Sequence, residues 1–215
     1  MEQKVADLRQ NYTLAGLLES EIDANPIKQF DSWFQAALDA DLLEPNAMTL
    51  ATASPDGKPT ARIVLLKGYD ERGFVFYTNY ESTKGKQLIA NPWAALVFLW
   101  DKLERQIRIE GKVVKLSAEE SDAYFHSRPL SSQIGAWTSN QSRVIGDRQV
   151  LESRQQELEQ QYAEARQIPR PPHWGGFRVI PEAIEFWQGR PNRLHDRLIY
   201  RLQDDNTWEI DRLAP

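Results

Sequence analysis

The sequence contains no cysteine, which removes disulfides, thiolate metal sites, iron–sulfur clusters and cysteine nucleophiles. Histidine is scarce: His126, His173 and His195 share no metal-ligand spacing, and no HExxH, GxSxG, GxGxxG or P-loop pattern occurs. Zinc hydrolase, α/β-hydrolase, Rossmann and P-loop chemistries thus lose their usual sequence basis. No metal is expected, and any bound phosphate must be held mainly by side chains. Long apolar runs are missing too. The longest, Trp93–Trp100, has eight residues, against roughly 20 for a membrane-spanning helix, and the first ten residues lack a signal peptide's apolar segment. A cytoplasmic location with no membrane partner is expected. Nor is there an excess of positive charge: 26 Lys and Arg face 31 Asp and Glu, a net −5, so no general nucleic-acid surface is expected.

What is present is the material of one globular fold: 215 residues, 41% of them hydrophobic. Asn25-Pro26 reads as an N-cap and first-turn proline, followed by Ile27, Phe30, Phe34, Ala37 and Leu38 at helical spacing, which predicts a helix ending near Leu42. Strands are predicted over 48–52, 59–66, 74–78, 93–100 and 105–115, with turns at 54–57 and 70–73 and a short helix over 82–90. That meander points to a small barrel. Ser117 and Glu120 form a capping box for a helix that Pro129 stops. A polar helix over 148–165 with a stripe of Leu151, Leu158 and Tyr162 reads as a solvated flank. After a proline-rich linker at 169–172, strands over 176–180, 183–188, 197–202 and 208–211 complete the barrel.

Three basic constellations stand out from the acidic average. Residues 190–201 carry four arginines and His195 against Asp196 alone. They fit either a solvated strand edge or an anion pocket; in the second case Arg193, His195 and Arg197, alternating on a strand, share one face. Arg62 and Lys67 bracket an apolar strand; ideal alternation places them on opposite faces, where they would serve two different anions unless a bulge brings them together, and the sequence does not decide. Tyr77-Thr78-Asn79 leads into Ser82-Thr83-Lys84, hydroxyls and a lysine at a helix N-terminus, which is an ordinary cap or an anion site.

Taken together, RIVLLK (62–67), FYTN (76–79), LERQIRIEG (103–111), YFHSRP (124–129), SQIGAW (132–137), HWGGFRV (173–179), IEFWQG (184–189), RLHDR (193–197) and the terminal IDRLAP resemble the pyridoxine/pyridoxamine 5′-phosphate oxidases. The resemblance implies a mainly β (α+β) fold, a split β-barrel with flanking helices: an N-terminal lid and helix (1–45), barrel strands (46–116), a helical segment (117–170) and closing strands (171–215). It implies a homodimer with flavin mononucleotide (FMN) at the subunit interface. FMN is expected on Arg62, Ile63, Val64, Leu65, Leu66, Lys67, Tyr77, Thr78, Lys84, Gln106, Gln141, Ser142, Trp187 and Arg197. Substrate is expected on Lys67, Tyr124, Arg128, Ser132, Arg193, Leu194 and His195, with Arg9 and Tyr12 as lid candidates and Arg193 and His195 at the reacting face. One departure is Thr83-Lys84, where the family's helix opens on an Arg-Lys pair. The reaction implied is oxidation of pyridoxamine or pyridoxine 5′-phosphate to pyridoxal 5′-phosphate, with O₂ reduced to hydrogen peroxide. A non-catalytic flavin carrier and a nicotinamide-dependent flavin reductase are the rival readings.

Overall fold

The structure is a computed structural model describing residues 11–215; Arg9 lies outside them. In chain order the elements are α1 (Pro26–Asp39), β1 (Ala47–Ala53), β2 (Pro59–Leu65), β3 (Gly68–Asp70), β4 (Gly73–Asn79), α2 (Thr83–Ala90), β5 (Trp93–Trp100), β6 (Arg105–Lys115), α3 (Ala118–Ser127), α4 (Leu130–Thr138), α5 (Gln149–Gln161), β7 (Trp174–Gln188), β8 (Asp196–Leu202) and β9 (Trp208–Arg212). The strands follow the order β2-β1-β5-β6-β7-β4-β3, with β8 joined to β7 and β9 to β8. Among the described residues no helix is long and apolar enough to cross a membrane.

The chain divides into two compact units. One comprises the chain up to Leu50, Ala95–Gly111 and Pro181–Pro215. Its helix α1 starts where the Asn25 side chain accepts from the Ile27 and Lys28 amides, and Pro26 occupies a position whose N–H would have no helical partner. The helix ends at Asp39, short of the expected Leu42, because Ala40 and left-handed Asp41 turn the chain away. Phe30, Trp33 and Ala37 are buried, Phe30 edge-on to Phe98 at 5.4 Å and Trp33 edge-on to Phe186 at 5.2 Å. Each such ring contributes about 1.5–3 kcal/mol by leaving water. The C-terminal half of β7 pairs antiparallel with β8 from Ala183↔Arg201 to Gln188↔Asp196, and β8 with β9.

The second unit comprises Ala51–Ala94 and Lys112–Ile180. Here β4 pairs with β3 and with the N-terminal half of β7, Phe74↔Val179 through Asn79↔Trp174. Gly73 closes the β3–β4 turn at φ 123°, and a Cβ there would collide with the Val179 carbonyl. The two strands expected over 176–180 and 183–188 are one continuous strand that changes partner at Pro181, a residue without an N–H to give to a ladder. The capping box of α3 forms as expected. Pro129 ends α3 but also begins α4, a helix the sequence reading missed because it treated that proline only as a stop. Helix α5 is shorter than expected and not wholly solvated: Leu158, 1% exposed, joins a cluster with Phe125, Ile134, Ile168 and Trp174.

Candidate functional site

In the second unit β2, β4, α2, α3 and α4 surround a cavity of about 640 Å³. Four cationic side chains line it, Arg62, Lys67, Lys84 and Arg128, and no carboxylate does. Like charges gathered without counter-charge are unfavourable unless an anion joins them.

Arg62 donates to Thr52 Oγ1 (2.6 Å) and Thr60 Oγ1 (2.5 Å), and burial lowers its pKa. Lys84 is the second residue of α2, and its Nζ donates to Thr78 Oγ1 (3.3 Å) and Gln141 Oε1 (3.2 Å). Burial, with the Arg62 charge second, lowers the Lys84 pKa. The first turn of α2 sits close to the preceding chain because residue 85 is glycine; a Cβ would strike the Asn79 and Tyr80 carbonyl oxygens. Ser82 caps that turn, accepting from Gly85 N and donating to Asn79 O. These residues fit the phosphate of a mononucleotide: two cations, a hydroxyl and an amide around a helix N-terminus.

Arg62 and Lys67 line the same cavity. Strand β2 stops at Leu65, Leu66 is buried, and Lys67 leaves the alternation to bond through its backbone N to Val75 O (2.8 Å). Ile63, Val64 and Leu65 line the same cavity, whereas Leu66, turned into the core, and exposed, left-handed Ser142 do not.

Lys67, Tyr124, Arg128 and Ser132 also line the cavity. Tyr124 stacks on Tyr77 at 3.8 Å and 15°, and Tyr77 on Trp174 at 5.4 Å and 11°. Burial, with Tyr124 second, pushes the Tyr77 phenol up to about 12. Arg128 caps α3 in extended conformation (ψ 151°), so it reaches the cavity by leaving the helix rather than by sharing a helical face with Tyr124. Its guanidinium lies 4.6 Å over the Trp174 ring, its Nη1 is buried with no hydrogen-bond partner, and burial lowers its pKa.

The remaining expected residues lie in the first unit. The shared strand face expected for Arg193, His195 and Arg197 does not exist: Pro191–Arg193 is a 3₁₀ turn and β8 begins only at Asp196. Pro191 and the left-handed Asn192 and Arg193 (φ 58° and 62°) break the extended geometry that the alternation assumed. Three of the four arginines are paired, Arg190 with Asp196, Arg197 with Glu185 and Arg201 with Asp211; Arg193 makes no ion pair among the described residues. Arg197 holds both Glu185 oxygens (2.8 and 3.1 Å) and the Ala214 carbonyl. His195 Nδ1 accepts from Arg190 N (3.1 Å), its ring lies 4.5 Å from Trp187 and 5.6 Å from Tyr12, and burial, then Arg193, lowers its pKa. Leu194 is exposed, and Gln106 on β6 has its Oε1 3.5 Å from Arg108. The sequence reading assigned no role to Trp174 or Asn79, although both line the cavity; the HWGG stretch was the available signal.

Strands and flanking helices define a split-barrel protein with a basic, aromatic-walled cavity. A family model described as pyridoxamine 5′-phosphate oxidase matches residues 34–162, and one described as pyridoxine 5′-phosphate oxidase C-terminal dimerisation region matches 174–215. A pyridoxine/pyridoxamine 5′-phosphate oxidase of Gloeothece citriformis is 66% identical over all of both chains, and one of Paraburkholderia phytofirmans is 63% identical over 98% of this chain and 99% of its own. Among solved structures, PhzG from Burkholderia lata, in complex with tetrahydrophenazine-1-carboxylic acid, superposes with a TM-score of 0.86 at 33% identity, covering 93% of this chain and 98% of that one. A pyridoxamine 5′-phosphate oxidase-related FMN-binding protein of Nostoc punctiforme shares the fold at a TM-score of 0.70 and 18% identity, covering 86% and 97%. The chain belongs to the pyridoxamine 5′-phosphate oxidase family and is an oxidoreductase.

Proposed function

We propose that this protein is an FMN-dependent, cytoplasmic oxidase that converts pyridoxamine and pyridoxine 5′-phosphates to pyridoxal 5′-phosphate. The observation that carries the reading is a single cavity lined by four cations, Arg62, Lys67, Lys84 and Arg128, with no carboxylate among the described lining residues. Two phosphorylated ligands, cofactor and substrate, account for four cations; a pure flavin carrier needs only one phosphate site. FMN, when bound, accepts a hydride from the substrate's C4′ and passes the electrons to O₂, giving hydrogen peroxide.

The chain's own residues bind and orient. Lys84, Arg62 and the capped α2 N-terminus take the cofactor phosphate, with Thr78 and Gln141 fixing the Lys84 ammonium. Lys67, Arg128, Tyr124 and Ser132 take the substrate phosphate, two cations and two hydroxyls that set the position of the reacting carbon. That remote group supplies binding energy that free vitamers lack, so unphosphorylated vitamers have a low kcat/KM. The active form is a homodimer, each cavity completed by the segment from Trp187 to Arg197 of a second copy; the match of 174–215 to a dimerisation region supports this. There Arg193, held in a left-handed conformation with no ion pair among the described residues, and His195, its pKa lowered by burial and then by Arg193, face the reacting group.

The test is aerobic assay of purified protein with pyridoxamine 5′-phosphate and no nicotinamide. Peroxide, ammonia and pyridoxal 5′-phosphate in equal amounts are expected. Activity only with a nicotinamide donor would make the protein a flavin reductase, and turnover of the tetrahydrophenazine acid alone would move it towards the PhzG activity.

A further inference from the structure

Arg128 is held unusually for a half-buried arginine. Burial of a guanidinium is normally offset by a carboxylate or by carbonyl acceptors. Arg128 has no ion pair among the described residues; its guanidinium carbon lies over the Trp174 ring at 4.6 Å and 5.9 Å from the Phe125 ring, and its buried Nη1 has no acceptor among the described residues. A stacking partner fixes the plane of the fork while leaving its N–H edges free, which a carboxylate would not do.

Trp174 is itself fixed from several sides. It is 8% exposed and opposes Asn79 in the β4–β7 register. Its N donates to Pro171 O (3.0 Å), and its carbonyl accepts from Arg170 Nη1 (2.6 Å), whose Nε donates to Asp122 on α3 (2.6 Å). The indole is parallel to Tyr124 within 5° and to Tyr77 within 11°. Through ring and backbone together, one residue sets both the plane of Arg128 and the helix that carries Tyr124.

We infer that Trp174 is a positioning residue for substrate, an indole platform that holds the Arg128 fork open and aligned with Tyr124 for the substrate's phosphate. The inference rests on the proposed substrate end of the cavity. It acts only on the bound anion, so its loss raises KM for phosphorylated substrate while leaving kcat and FMN content in place.

The holoenzymes of wild type, Trp174→Leu, Trp174→Phe and Arg128→Ala are compared at saturating FMN, with pyridoxamine 5′-phosphate and with pyridoxamine. Trp174→Leu is expected to raise KM for the phosphorylated substrate on the order of tenfold, as fits a desolvated cation–π contact, with kcat within about twofold and the slow turnover of pyridoxamine unchanged. Trp174→Phe, which keeps a ring, recovers most of that loss. If Arg128→Ala raises KM but Trp174→Leu does not, or if both substrates suffer equally, the inference is overturned. If Arg128→Ala also leaves KM unchanged, the substrate-end reading falls with it. Should Trp174→Leu fail to fold, the phenylalanine variant decides: a KM raised by roughly two- to threefold at constant kcat supports the platform, and an unchanged KM contradicts it.

Discussion

The cavity's cations differ in how they are held, and that difference underlies the roles proposed for them. Lys84 has neutral oxygens as partners and Arg62 close enough to lower its pKa; an anion with two charges relieves that repulsion. Replacing Lys84 with Ala removes one charge-assisted contact, and a loss of roughly ten- to a hundredfold in FMN affinity is expected. Flavin fluorescence titration measures it, and an affinity unchanged within twofold would remove Lys84 from cofactor binding. Arg193→Ala is expected to cut kcat far more than FMN occupancy, and equal losses would place Arg193 on the cofactor instead. At this scale the sequence was legible as a shared location where motif residues stay local: Arg62 to Lys67 other than Leu66, with Tyr124, Arg128 and Ser132, line one cavity. It misled where pattern stood in for backbone: alternation from 193 to 197 presupposed a strand, and Pro191 with two left-handed residues removed it. Trp174 was hidden because an aromatic at a strand start looks the same whether it fills a core or supports an arginine.

Among elements, the segment from Tyr12 to Glu19 shows how charge can replace secondary structure. It has no helix or strand, and charged side chains hold its backbone: Glu104 accepts from Thr13 N and Leu14 N, Asp196 from Leu17 N, and Arg190 donates to Ala15 O. Arg212 completes it, donating to the Leu17 carbonyl, to Asp196 and to both Glu19 oxygens. These ties set Tyr12 edge-on to Trp187 at 5.8 Å. The Arg212 hydrogen bond holds the Glu19 carboxyl at about 2. Because that folded-state value is depressed, the strap's contribution is present above the ordinary carboxylate range and is lost as pH falls from about 4.5 towards 2. Hydrogen exchange of the 13–17 amides should therefore be unchanged between pH 7 and 5.5 once the intrinsic rate is removed, and should accelerate in Arg212→Gln at pH 7; equal protection in the variant would contradict the strap. Most elements were legible because their ends carry local chemistry, Asn25-Pro26 and the Ser117/Glu120 box above all. Helix α4 and the unbroken β7 were not, since a proline can start, stop or redirect an element and only its partners decide.

For the whole molecule, the net charge of −5 conceals a cavity lined by four cations. Apart from Leu66 and Ser142, the expected FMN and substrate residues that are described fall into two groups, one lining that cavity and one in the other compact unit, and the proposed dimer brings them together. Mixing Lys84→Ala and Arg193→Ala subunits by reversible dissociation should then restore activity to about a quarter of wild type, the fraction of sites in a random mixture that carry neither change. No recovery would mean that both residues act within one chain.

The central claim is that one cavity orders a phosphorylated substrate against bound FMN. Its most direct test is the anaerobic half-reaction, in which holoenzyme is mixed rapidly with increasing pyridoxamine 5′-phosphate and flavin absorbance is followed. The account predicts complete bleaching at a rate that saturates with substrate, and in Arg128→Ala a raised half-saturation with the limiting rate largely kept. An oxidised flavin that stays yellow at saturating substrate, with FMN fully bound, would contradict it.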